Sequence, residues 1–198
     1  MKRSKGMIIV ITGPSGVGKT TLSNRLVRSF DDIEFSVSST TRNPRSNEKD
    51  KAEYEFISIE KFKEMVANNE FAEWARVHGN FYGTRKKVLQ DTLESGRNVL
   101  LEIDVQGGMQ IKGQFPQDTV MIFIAPPDHE ELKRRLVSRN TDTGDVIEKR
   151  LFNSLKEMLY IDNYEYFIVN DDLDEAYRVL EMIIETERYK SNRRIYKF

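Results

Sequence analysis

An α/β fold, with a parallel sheet covered by helices, is predicted because apolar β-rich runs alternate with amphipathic stretches over most of the 198 residues. Met7 to Ile11 (MIIVI), Asn98 to Asp104 (NVLLEID), Val120 to Ala125 (VMIFIA) and Tyr166 to Asn170 (YFIVN) are nearly continuous apolar runs. Strands buried on both faces have this pattern. Between them, Lys19 to Phe30 repeats Leu22, Leu26 and Phe30 at four-residue spacing, and Ile59 to Asn68 puts Phe62, Met65 and Val66 on one helix face. Asp128 with Glu131 and Asp172 with Glu175 have capping-box spacing and open two further helices.

Two regions break the alternation. From Phe35 to Tyr82 the strand-like pieces are short and turn-rich, the pattern of a small antiparallel insertion, with Ile59 to Asn68 making it mixed α/β. From Arg134 to Arg150 (RRLVSRNTDTGDVIEKR) the helical period is interrupted near Asn140 to Gly144, as in a helix-turn-helix lid. The expected organisation is one domain over residues 1–198: a core of 1–34, 85–133 and 151–198, an insertion of 35–84 and a lid of 134–150.

A chain of 23.2 kDa buries one substantial core. Its 31 basic and 32 acidic residues leave a formal net charge of -1, so no global field advertises nucleic acid as a partner, and any anion site is local. The absence of cysteine removes disulfides and thiolate metal sites, and two histidines do not supply a dedicated zinc site. The apolar stretch after MKRSKG is too short for a secretory h-region, and no window approaches a membrane span. A cytoplasmic protein is expected, with no membrane partner; nothing in the sequence distinguishes monomer from homo-oligomer.

GPSGVGKT (Gly13, Pro14, Ser15, Gly16, Val17, Gly18, Lys19 and Thr20, with Thr21 following) comes after a buried strand and opens a helix, so it meets the P-loop pattern G-x-x-x-x-G-K-[ST] in sequence and in context. The glycines let backbone N–H groups converge on phosphate oxygens, the helix N-terminus adds partial positive charge, and Lys19 reaches the outer phosphates. The hydroxyl of Thr20 suits Mg²⁺, so a nucleoside triphosphate with Mg²⁺ is expected on this loop, and the loop by itself leaves open where the γ-phosphoryl group goes. Asp104 to Gly107 (DVQG) imitates the D-x-x-G motif of switch GTPases, but no [NT]-K-x-D follows to read a guanine at the donor site.

On the acceptor side, Arg42 and Arg45 flank Pro44, which restricts Asn43 to extended geometry and stiffens the spacing of two guanidinium groups suited to bidentate phosphate binding. SSTTRNPR, EWARVHGNFYGT (Glu73 to Thr84), LEIDVQG, the Arg135/Arg139/Arg150 spacing and FIVND, together with the P-loop, resemble the guanylate kinase family of P-loop nucleoside monophosphate kinases, in the right order from Met7 to about Tyr189. The resemblance implies a P-loop NTPase-like core and ATP-dependent phosphorylation of GMP, with dGMP as a second acceptor, in purine nucleotide metabolism. It implies that Arg42, Arg45, Tyr54 and Tyr82 clamp the GMP phosphate. It assigns Ser38, Glu73, Thr84 and Asp104 to the guanine, and Lys19, Arg42, Arg135, Arg139 and Arg150 to catalysis.

The chemistry agrees. Guanine offers N1–H and N2–H₂ as adjacent donors, which one carboxylate such as Glu73 accepts, with Thr84 a donor to O6; a site built on such bonds rejects an analogue lacking them by about 10⁴ to 10⁵. A GMP phosphate oxygen needs no dedicated base once neutralised. Arg135 and Arg139, four apart, share a helix face, and the plain alternative for them is a solvated face paired with Glu130 and Glu131. Either Glu102 or Asp104 could assist the metal, and Asp104 could instead cap the segment that follows.

Trp74, Val77 and Phe81 read as core, and His78 as structural. Asn47, Lys51 and Asn140 stand where the family usually has glycine, and Lys51 is the one that puts the chain path to Tyr54 in question. Rival readings are a catalytically dead scaffolding module, disfavoured by the intact Lys19, Thr20 and lid arginines, and a P-loop kinase acting on another monophosphate.

Overall fold

The computed structural model describes residues 5–44, 54–77, 79–138 and 144–193. Its core is a five-stranded parallel sheet made from β1 (Ile8–Thr12), β2 (Ile33–Phe35), β7 (Asn98–Glu102), β8 (Thr119–Ala125) and β9 (Tyr166–Val169), in the order β2-β7-β1-β8-β9. β1 lies in the middle and all five of its residues are buried, as its unbroken apolar run predicts. Alternate residues serve opposite layers: Ile9 and Ile11 pack with α1 (Lys19–Ser29) and α7 (Leu173–Glu187), and Ile8 and Val10 with α3 (Lys86–Glu94) and α4 (Val105–Gln114). Each such side chain contributes about 1.5 to 3 kcal/mol on burial.

The helix starts follow the capping signals. Asp128 accepts from the Glu131 N–H at 2.7 Å ahead of α5 (His129–Ser138), and Asp172 accepts from the N–H groups of Asp174 and Glu175 at 2.9 Å ahead of α7. α1 differs: Gly18 precedes it in left-handed geometry (φ 93°) with no side-chain cap, so no side chain occupies its N-terminus.

Three elements lacked a sequence signal. β2 is three residues long, takes its place from pairing with β7, and runs to Phe35, one residue past the expected core boundary. α3 has no capping side chain at its start. α4 carries Gly107, Gly108 and Gly113, each unfavourable in a helix, which obscured its period.

The insertion holds β3 (Ser38–Thr40), β4 (Tyr54–Phe56), α2 (Ile59–Ala67), β5 (Phe71–Val77) and β6 (Asn80–Arg85), with its strands in the order β4-β3-β6-β5. β6 is antiparallel to both neighbours, but β3 and β4 run parallel, so the expected antiparallel insertion is corrected to a mixed sheet. Connecting parallel neighbours takes a longer crossover than a hairpin turn. Phe62, Met65 and Phe71 form its small core, with Phe62 stacked on Phe71 at 4.4 Å and on Phe81 at 5.3 Å. Trp74 and Val77, expected in the core, are 39% and 40% exposed. β5 is an edge strand in a four-stranded sheet and too short a layer to cover both of its faces. His78 lies outside the described residues.

In the lid, α5 is followed by α6 (Gly144–Met158). Arg139, Asn140 and the expected break between the helices lie outside the described residues, as do Arg45, Asn47 and Lys51.

Candidate active site

The P-loop bridges β1 and α1 at the end of the sheet where the strands point their C-termini. Gly13 (φ 144°) and Gly18 (φ 93°) hold backbone that only glycine adopts without strain. Space also forbids a side chain there: a Cβ on Gly13 would meet the Ile124 carbonyl oxygen at 2.0 Å, and one on Gly18 the Asn170 Nδ2 at 2.4 Å. Lys19 Nζ donates to the carbonyls of Gly13 at 2.5 Å and Pro14 at 2.9 Å, so the cation lies across the loop that frames it. Thr20 Oγ1 donates to Glu102 Oε1 at 2.7 Å.

That hydrogen bond separates the two carboxylates left open by sequence. Glu102 faces the P-loop hydroxyl, whereas Asp104 accepts from the Gly107 N–H at 2.8 Å and caps α4. Asp104 nonetheless lines the acceptor cavity, a space of about 310 Å³ between the core sheet and the insertion that is also bounded by Ser38, Tyr54, Glu73, Tyr82 and Glu102. A second space of about 440 Å³, sharing Ser38, Tyr54 and Glu102, continues toward Thr20. The two spaces adjoin at Ser38, Tyr54 and Glu102.

Glu73 sits in an environment far from solution. It is 6% exposed, and burial pushes its carboxyl up to about 7, a hydrogen bond from Thr84 pulling down and the charge of Asp104 pushing up again. Thr84, directly across from it on β6, is fully buried and donates its hydroxyl to Glu73 Oε1 at 2.7 Å. The expectation that Thr84 donates to O6 is thereby redirected: its proton is engaged by the carboxylate it orients.

Arg42 follows β3, where Thr40 accepts from the Arg42 N–H at 3.2 Å and donates to the Phe81 carbonyl at 3.0 Å. Thr41 accepts from the Phe81 N–H at 2.9 Å, so the threonines of SSTTR pin the arginine's backbone to β6. The Arg42 guanidinium lies 5.5 Å from the Tyr54 ring, which meets Tyr82 edge-on at 6.0 Å. Three of the four expected phosphate ligands thus stand together; the fourth, Arg45, is outside the described residues.

On the lid, Arg135 donates to Glu131 Oε1 at 2.6 Å and to the Asn170 carbonyl at 2.8 Å. Hydrogen bonds from Arg134 and then Arg135 hold the Glu131 carboxyl well below the usual range, at about 2. The pairing weighed against a catalytic role is present, through Glu131. Arg150 sits half-buried on α6.

Three residues of this region escaped the sequence reading. Asn170, 4% exposed, donates from Nδ2 to the Val17 carbonyl at 2.7 Å and so ties the end of β9 to the P-loop; its FIVND motif was a signal without a role. Glu157, on α6, is raised by burial, with the Lys19 charge lowering it and Asp104 raising it, which sets it near both halves of the site. Gln110 on α4 meets the backbone of β5 beside Glu73, and an amide within a glycine-rich helix carried no signal.

Comparison with known proteins matches this arrangement along the chain. The family model described as guanylate kinase matches residues 5–187. Guanylate kinase of Syntrophotalea carbinolica is 48% identical over 193 residues, covering 98% of this chain and 91% of that protein, and guanylate kinase of Clostridioides difficile is 47% identical over 189 residues, covering 96% and 92%. The crystal structure of guanylate kinase from Anaplasma phagocytophilum superposes with a TM-score of 0.77 at 35% identity, covering 98% of this chain and 92% of that one. By family model, identity over nearly the whole length and shared fold, the chain belongs to the guanylate kinase family, the nucleotide-binding transferases that phosphorylate GMP to GDP with ATP.

Proposed function

We propose that this chain transfers the γ-phosphoryl group of ATP directly to the phosphate of GMP, with the donor on Gly13 to Thr21 and the acceptor in the cavity between core and insertion. The observation that carries the reading is the buried Glu73, oriented by Thr84 and lining a cavity that adjoins a second space reaching Thr20. An ionised carboxylate there accepts from guanine N1–H and N2–H₂ together; adenine would present a lone pair instead, leaving Glu73 unpaired. Asp104 and Ser38 complete the base contacts. Arg42, Tyr54 and Tyr82, with Arg45, hold the phosphate.

Transfer then rests on in-line positioning and charge stabilisation, since phosphoryl transfer asks little covalent chemistry of the protein. Lys19 exchanges its loop carbonyls for donor phosphate oxygens. Arg135 leaves Glu131 and joins Arg139 and Arg150 on the migrating group as the lid closes and excludes water. A hydroxyl and one carboxylate at hydrogen-bond distance, Thr20 and Glu102, fit a Mg²⁺ ion that keeps most of its water and is bound largely through the nucleotide. Bound there, it would neutralise phosphate charge. The reading places the enzyme in the cytoplasm, where both nucleotides are available.

A coupled assay for ADP across GMP, dGMP, AMP, UMP and CMP tests it. Turnover with GMP and dGMP alone is expected; GMP binding without turnover would make the chain a binding module, and equal use of AMP would remove Glu73 as the reader of the base.

A further inference from the structure

We infer that Gln110 and Gln114 are positioning residues for acceptor recognition: from α4 they grip the β5 backbone on either side of Glu73 and hold the carboxylate in register with the cavity. The inference rests on the reading that Glu73 binds guanine. Among the described residues β5 is an edge strand with β6 on one side only, so its outward N–H and C=O groups have no strand partner there. α4 supplies one. Gln110 Oε1 accepts from the Trp74 N–H at 3.2 Å and Nε2 of the same side chain donates to the Trp74 carbonyl at 3.4 Å. A primary amide carries the same donor and acceptor as a peptide group, so this pair repeats one rung of a sheet with a side chain in place of a strand. Gln114, one helical turn on, donates from Nε2 to the Ala72 carbonyl at 2.8 Å.

The position of these grips matters because β5 is irregular there. Its pairing with β6 shifts register between Phe71 and Glu73, and Phe71, Ala72 and Glu73 are all buried where a regular strand would alternate. A bulge turns the following side chain, and the direction in which Glu73 emerges depends on how the backbone at 72 and 74 is held. The same helix approaches the carboxylate itself: a Cβ on Gly107 would lie 3.1 Å from Glu73 Oε2. α4 is in turn fixed to the core, through the Asp104 cap at the end of β7 and through Ile111, fully buried beneath the sheet. A continuous path of cap, helix and two amides therefore links the rigid sheet to Glu73. The grips touch neither the P-loop nor the lid.

The test is steady-state kinetics of the full chain bearing Gln110→Ala, Gln114→Ala and both, with GMP and ATP varied separately and IMP, which lacks the 2-amino group, as a second acceptor. Loss of the grips is expected to raise KM for GMP by about five- to tenfold in the double variant, the worth of one to two hydrogen bonds. KM for ATP should stay within about twofold and the preference for GMP over IMP should fall. Gln114→Lys, which keeps a donor, should recover most of the Gln114→Ala loss, whereas the similarly sized Gln114→Leu should not. Unchanged KM for GMP, or equal rises for GMP and ATP, would overturn the inference while wild-type GMP turnover stood. Absence of GMP turnover in the wild type would overturn the functional reading instead. Should the double variant fail to fold, the Leu and Lys pair at position 114 decides alone.

Discussion

Lowering the pH from 8 to 6 should weaken GMP binding because the base needs Glu73 ionised and the fold opposes that ionisation. With its carboxyl raised to about 7 by burial, Glu73 is about nine-tenths ionised at pH 8 and about one-tenth at pH 6. If only the ionised form accepts from N1–H and N2–H₂, apparent Kd rises in inverse proportion to that fraction, about tenfold over the two pH units. GMP carries a titrating phosphate of its own, with a second pKa near 6, which adds about a twofold loss from the ligand side. Glu73→Gln separates the two: it removes the carboxyl and keeps the phosphate, so only the smaller dependence should remain. Titration calorimetry in buffers of different ionisation enthalpy supplies the second readout, since binding near pH 6.5 should release a proton from Glu73. A Kd for GMP that changes by no more than about twofold between pH 6 and 8, or a proton taken up through Glu73 on binding, would refute the reasoning.

The same ionisation has a cost to the fold, with a definite sign. Because the folded-state value is raised from 4.5 to about 7, the folded protein holds this proton more tightly than the unfolded chain. The resulting stability is fully present below pH 4.5 and is lost as pH rises through 7, by about 3 kcal/mol at most for a shift of that size. Glu73→Gln should therefore melt higher than wild type at pH 8 while losing GMP, and the gap should narrow toward pH 5.

Lys19→Ala should lower kcat by about 10² to 10³ and leave GMP affinity unchanged, because the lysine serves the donor; loss of GMP binding measured by calorimetry would mean that the acceptor site is misassigned. Asn170→Ala removes the donor to the Val17 carbonyl, so KM for ATP should rise several-fold with little change for GMP, accompanied by a stability loss of about 1 to 3 kcal/mol. Equal effects on both substrates would contradict a local role at the P-loop. Arg193→Met removes one partner of Glu187 (3.1 Å; the two residues 4% and 0% exposed) far from the site; Glu187 keeps Lys190 at 2.6 Å and the Tyr166 hydroxyl, so the cost should be about 1 to 3 kcal/mol. Melting should show this as a fall of about 3 to 10 °C, with kinetic constants below the transition unchanged.

Four of the five core strands and the donor site were legible because their information is local. MIIVI needs only its own composition to be a buried strand, and GPSGVGKT needs only a strand before it and a helix after it. β2, α3 and α4 were not legible: three residues make a strand only when β7 is there to pair with, and a helix interrupted by Gly107, Gly108 and Gly113 is kept by packing rather than by propensity. Trp74 and Val77 show the reverse error. Their apolar character suggested burial, but among the described residues the mixed four-stranded sheet is only partly covered at that edge.

The amino-acid order alone thus determined an α/β chain with a phosphate-binding loop, an acceptor segment rich in arginine and aromatic residues, and the resemblance that names its family. Only the tertiary structure decided how Glu73 works. Its raised carboxyl, its hydrogen bond from Thr84, and the hold of Gln110 and Gln114 on its neighbours join residues 11 to 42 positions apart. Such joins depend on the β5 bulge, the pairing of β5 with β6 and the seat of α4 on the core. Desolvation and register are properties of what surrounds a residue, and the sequence states those surroundings only once it has folded.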